Sequence, residues 1–312
     1  TTLQSLDART GQALGAALHA SSSTDIDAAV QAAHAAFADW QSSQGASRAA
    51  LLNALASAIE SDREALVALA DQESGLGLPR LNGELDRTAF QLRRFANLAQ
   101  NGAAFAFTDD PAVAGGPPAG HPAMLRVRVP LGPVAMFSAS NFPFAFSVLG
   151  GDTASALAAG CTVVVKAHSG HLYTSQRAFH VAQTALQKLG LHEGLLQMVR
   201  GAGNKIGVAL IQHPLIAAGA FTGSTRGGAA RPAPPGRRRG ALTQPPQWFG
   251  TTQPGRRGLD AKPQSLAGLG GCAGAGPHHR RARTIAVDGG TGLALNQVLH
   301  GQGTAFTARP VN

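Results

Sequence analysis

The chain has 312 residues, of which 44% are apolar, so it is long enough to bury one large core or two ordinary ones. No uninterrupted apolar stretch approaches the roughly 20 residues of a membrane helix, and the chain opens with polar residues where a secretory leader would be basic and then apolar. Its two cysteines, Cys161 and Cys272, are too few for a disulfide framework. These features predict a cytoplasmic protein that does not enter a membrane.

The net charge of +9 comes from the C-terminal part of the chain. Residues 1–226 hold 15 of the 17 acidic side chains and 15 of the 26 lysines and arginines. Residues 227–312 hold the other 11 basic residues, together with 17 glycines and 9 prolines. This tail offers little apolar surface to offset the entropy of ordering, so we predict it to be mostly irregular. A nucleic-acid-binding arm is an alternative, disfavoured because few aromatic residues interleave with its charges.

The first hundred residues indicate a turn followed by amphipathic helices. Apolar residues recur at helical spacing over residues 25–40, where Thr24 and Asp27 are placed to cap the first turn. Residues 61–64 have the pattern of a capping box, which predicts a second helix start. A third helix is predicted over residues 84–100.

From Val127 onward, short apolar runs alternate with helical segments. The predicted strands are residues 134–137, 162–165, 196–199 and 217–221. This βαβ pattern is typical of an α/β fold with a doubly wound parallel sheet. Ligands of such sheets bind beyond the carboxyl ends of the strands. Asn141, Lys166, the glycines at 201–203 and the pair Gly223–Ser224 all follow a predicted strand, so we expect them to converge on one edge.

Three of these motifs allow a structural and a functional interpretation. Lys166 ends an apolar strand, where its charge needs solvent, a partner or a ligand. The glycines from Gly201 to Gly207 miss the G-x-G-x-x-G spacing, because its third glycine would fall at Ile206, and an ordinary strand-to-helix turn has the same composition. Asn141 suits a turn before Phe-Pro as well as an amide donor. The histidines show no metal-ligand spacing.

Together these motifs resemble the aldehyde dehydrogenase family. The resemblance rests on residues 130–144, 162–166 and 221–224 and covers about residues 5–226. Residues 73–84 and 150–156 are most similar to the branch that oxidises 2-oxoglutarate semialdehyde (2,5-dioxopentanoate). The resemblance implies a Rossmann-like cofactor-binding domain with N-terminal helices over residues 1–226. The activity that it implies is NAD(P)-dependent oxidation of a small aldehyde to a carboxylate. Members of this family are homo-oligomers.

The resemblance also implies residue roles. Lys166 would bind the adenosine ribose, and no carboxylate follows it in residues 167–171, which favours NADP over NAD because a carboxylate would repel the 2′-phosphate. Gly203 and Gly207 would lie near the pyrophosphate. Asn141 would stabilise the oxyanion formed when a thiolate attacks the aldehyde. The implied cofactor-binding residues are Phe137, Ser138, Lys166, His168, Ser169, Gly203, Gly207, Phe221, Thr222, Gly223 and Ser224.

The chemistry of that family also needs a cysteine nucleophile and a glutamate base. No glutamate follows Glu193, Cys272 lacks the glutamine expected before the nucleophile, and Cys161 opens a buried strand where it would only pack. The composition of residues 227–312 is what a GC-rich gene yields when read out of frame. We hypothesise that the chain is a truncated or frameshifted, inactive member of this family. Its tail would replace most of the catalytic domain and the part that forms the oligomer. The alternative is a non-catalytic NADP-binding remnant.

Overall fold

The computed structural model describes residues 1–105, 107–116, 118–223 and 303–308. Its helices are α1 (Ser23–Trp40), α2 (Gly45–Ser61), α3 (Arg63–Ser74), α4 (Leu78–Gln100), α5 (Gly151–Ala158), α6 (Leu172–Lys188) and α7 (Lys205–Ile211). Its strands are β1 (Thr2–Leu6), β2 (Ala13–His19), β3 (Phe107–Asp110), β4 (Met124–Val129), β5 (Val134–Phe137), β6 (Val163–Ala167), β7 (Leu196–Arg200), β8 (Ala218–Phe221) and β9 (Gly303–Ala308).

Helix α1 begins two residues earlier than predicted, and a different pair of residues caps it. The hydroxyl of Ser22 accepts from the backbone N–H of Asp25, and the Asp25 carboxylate accepts from the backbone N–H of Ser22. This reciprocal arrangement is a capping box. The prediction that Thr24 and Asp27 cap the helix was therefore wrong, because both residues lie inside its first turns.

The next three helices also differ from the sequence prediction. Helix α2 was not predicted at all. Ser61 does not cap α3, because its hydroxyl donates to the carbonyl of Ser57 within α2. Helix α4 starts at Leu78 rather than near residue 84, with a proline in its first turn, where the missing N–H of proline costs nothing. Together α2 and α4 form the largest helix-to-helix contact beside the main sheet.

The main sheet has the strand order β7-β6-β5-β8, and every neighbouring pair is parallel. In chain order this is 3-2-1-4, the first four positions of the doubly wound nucleotide-binding order. The switch point of such a sheet lies between its first and fourth strands, here β5 and β8. The predicted α/β fold and all four predicted strands are thus confirmed, with boundaries shifted by at most two residues.

Alternate side chains of the sheet pack against helices on opposite faces, as strand geometry requires. Val134 and Met136 of β5 belong to the core formed with α2, α4, α5 and α6. Ala135 and Phe137 belong to the second core, formed with α1 and α7. Because helices cover both faces, the strand ends are the part of the sheet that a ligand can reach.

A buried carboxylate joins α3 to the start of α6. Glu73 accepts from the backbone N–H groups of Tyr173 and Thr174 and from the Thr174 hydroxyl, at 2.6 to 2.8 Å. It also accepts from the hydroxyl of Ser5 in β1. The residue before α6, His171, gives no side-chain cap of its own. Glu73 therefore caps α6 from another helix, where its charge also complements the helix dipole.

Two small sheets complete the described structure. Strands β1 and β2 form an antiparallel hairpin, which the sequence indicated only as a turn. Strand β4 pairs antiparallel with β3 and with β9. Strand β9 is the one described part of the tail, which was predicted to be mostly irregular. The rest of that prediction concerns residues outside the described ranges. Across the described ranges, no helix is long and apolar enough to cross a bilayer.

Candidate functional site

Three of the candidate residues lie side by side at the carboxyl ends of neighbouring strands. In the sheet register, Phe137 of β5 is opposite Lys166 of β6 on one side and Phe221 of β8 on the other. The rings of Phe137 and Phe221 meet edge to face, with 6.5 Å between their centroids. This row spans the switch point. Of the residues expected from the sequence to converge on one edge, Lys166 lies in this row, and the other two residues of the row are ones that only the family resemblance implied.

Two histidines follow Lys166 in the loop between β6 and α6. His168 is half-buried, and desolvation lowers its pKa to about 4, with smaller effects from the nearby His171 and Lys166. At neutral pH its ring is uncharged, and its Nδ1 accepts from the N–H of Gly170 at 3.0 Å. Its Nε2 therefore carries the proton and can donate. Beside it, Ser169 is exposed.

His171 ties this loop to the segment after β5. Its Nε2 lies 2.8 Å from the carbonyl oxygen of Ala139, and its Nδ1 lies 3.0 Å from the hydroxyl of Ser175. Because a carbonyl only accepts, Nε2 donates, and Nδ1 of the neutral ring accepts from the hydroxyl. Burial lowers the pKa of His171, which keeps the ring neutral. No role was predicted for His171 from the sequence, because its hydrogen-bond partners lie on other elements.

The turn after β8 is anchored through a buried carboxyl group. The hydroxyl of Thr222 donates to Oδ2 of Asp152 in the first turn of α5, at 3.0 Å. Complete burial raises the pKa of Asp152 to about 6, an effect that the Thr222 hydrogen bond partly opposes. Gly223 packs closely, because a Cβ there would lie 2.7 Å from the ring of Phe221. Ser224 lies outside the described residues.

The two glycines of the β7–α7 turn have different surroundings. Gly203 is exposed, adopts a left-handed φ of 66°, and has no neighbouring atom within 4 Å of where a Cβ would stand. Such a conformation favours glycine. Gly207 is buried inside α7. Gly203 thus leaves its backbone open to a ligand, while the burial of Gly207 by itself indicates packing.

The segment after β5 places Ser138 inside the protein and Asn141 outside it. The N–H of Ser138 donates to the Lys166 carbonyl at 3.2 Å, and its hydroxyl lies 3.4 Å from that of Ser147. Asn141, which the sequence indicated as a turn residue or an amide donor, is exposed. Its backbone carbonyl accepts from the guanidinium of Arg80 at 2.7 Å. The turn before Phe-Pro keeps this side chain at the surface.

The described residues supply no reactive thiol. Cys161, their one cysteine, is 1% exposed, and burial raises the pKa of its thiol. A buried thiol with a raised pKa is a poor nucleophile, which agrees with the predicted packing role. Cys272 lies outside the described residues. Within the described ranges, no cluster of His, Cys, Asp and Glu could hold a metal ion.

Comparison with known proteins gives consistent matches for the first 230 residues. The chain matches the family model "Aldehyde dehydrogenase family" over residues 1–230. It is 42% identical over 230 residues to alpha-ketoglutaric semialdehyde dehydrogenase 2 of Azospirillum brasilense, covering 73% of this chain and 44% of that one. It is 40% identical over 229 residues to alpha-ketoglutaric semialdehyde dehydrogenase of Acinetobacter baylyi, covering 73% and 43%.

A solved structure supports the same match. The crystal structure of an aldehyde dehydrogenase from Brucella melitensis biovar abortus aligns with a TM-score of 0.64 at 27% identity, covering 73% of this chain and 44% of that one. The chain therefore spans less than half the length of the relatives that it matches.

Proposed function

Because this chain belongs to the aldehyde dehydrogenase family, we propose that residues 1–226 form the cofactor-binding half of such an enzyme, with NADP as the preferred cofactor. The observation that carries the proposal is the row of Phe137, Lys166 and Phe221 at the switch point between β5 and β8. Nucleotides bind at this position in doubly wound sheets. NAD remains the second cofactor to test.

The residues at this edge suit a phosphorylated dinucleotide. Lys166 offers a positive charge, and the neutral ring of His168 offers a donor next to it. The open, left-handed turn at Gly203 allows a ligand to approach the backbone closely. NADP, when bound, supplies the acceptor for the hydride of the aldehyde. The residues of this chain would bind and orient the nucleotide, and the Asn141 amide would donate to the developing oxyanion.

For the substrate, we propose 2-oxoglutarate semialdehyde. The support is that the two relatives from Azospirillum brasilense and Acinetobacter baylyi are named as dehydrogenases of alpha-ketoglutaric semialdehyde, the same compound. The reducing cytoplasm is the proposed compartment, in keeping with the free thiol of Cys161.

The intact enzyme would oxidise this aldehyde, whereas we propose that the present chain binds NADP without oxidising it. This inactivity is favoured by the buried thiol of Cys161 and by the lack of any glutamate after Glu193. The chain is then a frameshifted member of the family or, as the alternative, a non-catalytic NADP-binding remnant. We propose that residues 227–312 replace most of the catalytic domain through a frameshift. Resequencing the coding DNA across codons 220–312 and translating all three frames tests this. A second frame that encodes a Glu-Leu strand and a Gly-Gln-x-Cys loop would support the frameshift, and three frames without them would exclude it.

Replacing Lys166 with methionine is expected to weaken NADP binding about 10- to 100-fold, because charge-assisted hydrogen bonds contribute about 1.5–3 kcal/mol each. NAD binding should weaken less, since NAD lacks the 2′-phosphate. Isothermal titration calorimetry of the wild type and the variant gives the dissociation constants of both nucleotides. Lys188→Met, at an exposed position in the last turn of α6, is the matched control and should bind as the wild type does. Equal affinities in Lys166→Met and the wild type would contradict the assignment.

A further inference from the structure

One face of α4 contacts the segment that carries Asn141. Arg80, Glu84 and Arg87 are spaced i, i+4 and i+7, so they line up along one side of the helix. Each of the three contacts residues 141–146, which we call the Asn141 loop. We call the three side chains the α4 clamp. No role was predicted from the sequence for the three clamp side chains, although Asn141 itself was singled out.

Glu84 is the buried centre of the clamp. It is 6% exposed, and its Oε1 accepts from the backbone N–H groups of Phe144 and Ala145 at 2.8 and 2.9 Å. Its Oε2 is buried and has no hydrogen-bond partner among the described residues. Burial raises the pKa of Glu84, although its two backbone hydrogen bonds and, to a smaller extent, the charges of Arg80 and Arg87 oppose that effect. An incompletely paired buried carboxyl is costly, so packing alone does not explain it.

The two arginines hold the ends of the same loop. Arg80 donates to the carbonyl of Asn141 at 2.7 Å, and its guanidinium stacks over the ring of Phe142, 5.2 Å from the centroid. Arg87 stacks over the ring of Phe146 at 5.3 Å. The rings of Phe142 and Phe146 in turn meet edge to face, with centroids 5.1 Å apart. The loop is therefore attached to α4 at its start, its middle and its end.

We propose that the α4 clamp positions the side-chain amide of Asn141. The inference rests on the proposed function of that amide as an oxyanion donor. Asn141 is exposed and belongs to no helix or strand, so regular structure does not fix its direction. An oxyanion donor acts only when it is held in place before the reaction, and a misplacement of about 1 Å can cost about 100-fold in rate. The clamp supplies that restraint from outside the sheet, and its three members are positioning residues.

The test uses the whole chain and does not require aldehyde oxidation. Glu84→Gln keeps the shape of the side chain but removes the charge that strengthens its two backbone hydrogen bonds. We expect hydrogen exchange of the Phe144 and Ala145 amides to speed up about tenfold, the equivalent of about 1.4 kcal/mol. In a ¹H–¹⁵N spectrum, the side-chain NH₂ signal of Asn141, identified by its loss in Asn141→Asp, should move.

Matched variants on the same helix separate positioning from general stability. Asp86→Asn removes an exposed carboxylate of α4 that pairs with Arg63. It should change neither the hydrogen-exchange rates of the two loop amides nor the side-chain NH₂ signal of Asn141. Arg80→Met changes an exposed side chain, so it tests the clamp even if Glu84→Gln fails to fold, and it should also move the Asn141 signal. Arg94→Met is its exposed control.

The outcomes for the clamp and for the proposed function are distinguishable. An Asn141 signal that moves in Glu84→Gln and Arg80→Met but in neither control supports the clamp. A signal that stays in place in a folded Glu84→Gln or Arg80→Met overturns it, whether or not NADP binds. If the wild type does not bind NADP, the proposed function is contradicted, while the hydrogen-exchange and NMR results on the Asn141 loop remain valid.

Discussion

Replacing Glu73 with alanine is expected to lower the free energy of unfolding by about 3–5 kcal/mol. The carboxylate is 5% exposed and accepts four hydrogen bonds, from Ser5, Tyr173 and Thr174. Its removal would leave the buried N–H and hydroxyl of Thr174 and the partly buried N–H of Tyr173 without this acceptor, and unsatisfied buried donors cost about 1–3 kcal/mol each. Urea unfolding followed by circular dichroism measures the loss.

Glu64→Ala on the same helix is the matched control for this prediction. Glu64 is an exposed carboxylate in the first turn of α3, where it contributes at most about 1 kcal/mol through the helix dipole. A loss in Glu73→Ala no larger than that in Glu64→Ala would show that Glu73 does not cap α6.

Replacing Asp152 with asparagine is expected to stabilise the protein above neutral pH. Burial holds the pKa of this carboxyl near 6 in the folded chain, against an ordinary value of 3.8. Between pH 3.8 and about pH 6, Asp152 therefore stays protonated in the folded state but is ionised in the unfolded state. The free energy of unfolding consequently falls as the pH rises through this range. Above pH 6 the full cost of ionising Asp152 in its buried site is about 3 kcal/mol, at about 1.4 kcal/mol per pKa unit. Asparagine avoids this cost and still offers an acceptor to Thr222.

The pH dependence is the informative part of that measurement. The stability gained by Asp152→Asn should grow by about 2 kcal/mol between pH 4.5 and pH 8, as measured by urea unfolding at several pH values. Asp39→Asn, at an exposed position on α1, should show no such growth. A gain that does not change with pH would mean that Asp152 titrates normally.

The strands of the main sheet were predictable because their signal is local. Runs such as Val163–Val165 are apolar at every position, as buried parallel strands require, and turns bound them on both sides. The start of α4 was less predictable. Asn82 and Gly83 favour turns by propensity, yet they lie within α4, because packing of its long apolar face against α2 outweighs their preference.

The site was predictable only where it follows strand ends. Lys166 and Phe221 could be expected at one edge, because the carboxyl ends of parallel strands converge there. Glu73 and Glu84 could not, since their acceptor roles depend on backbone N–H groups 60 to 101 residues away along the chain. The exposure of Asn141 was likewise missed, because it depends on the path of the loop and on Arg80 from another helix.

Calorimetric titration of the intact chain with NADP and NAD, followed by addition of 2-oxoglutarate semialdehyde to the loaded protein, tests both the cofactor site and the proposed loss of catalysis. We predict that NADP binds, that it binds more tightly than NAD, and that no NADPH forms on addition of the aldehyde. Failure to bind either nucleotide at millimolar concentration would contradict the cofactor site at the switch point. NADPH formation would contradict the proposal that residues 227–312 replace the catalytic domain.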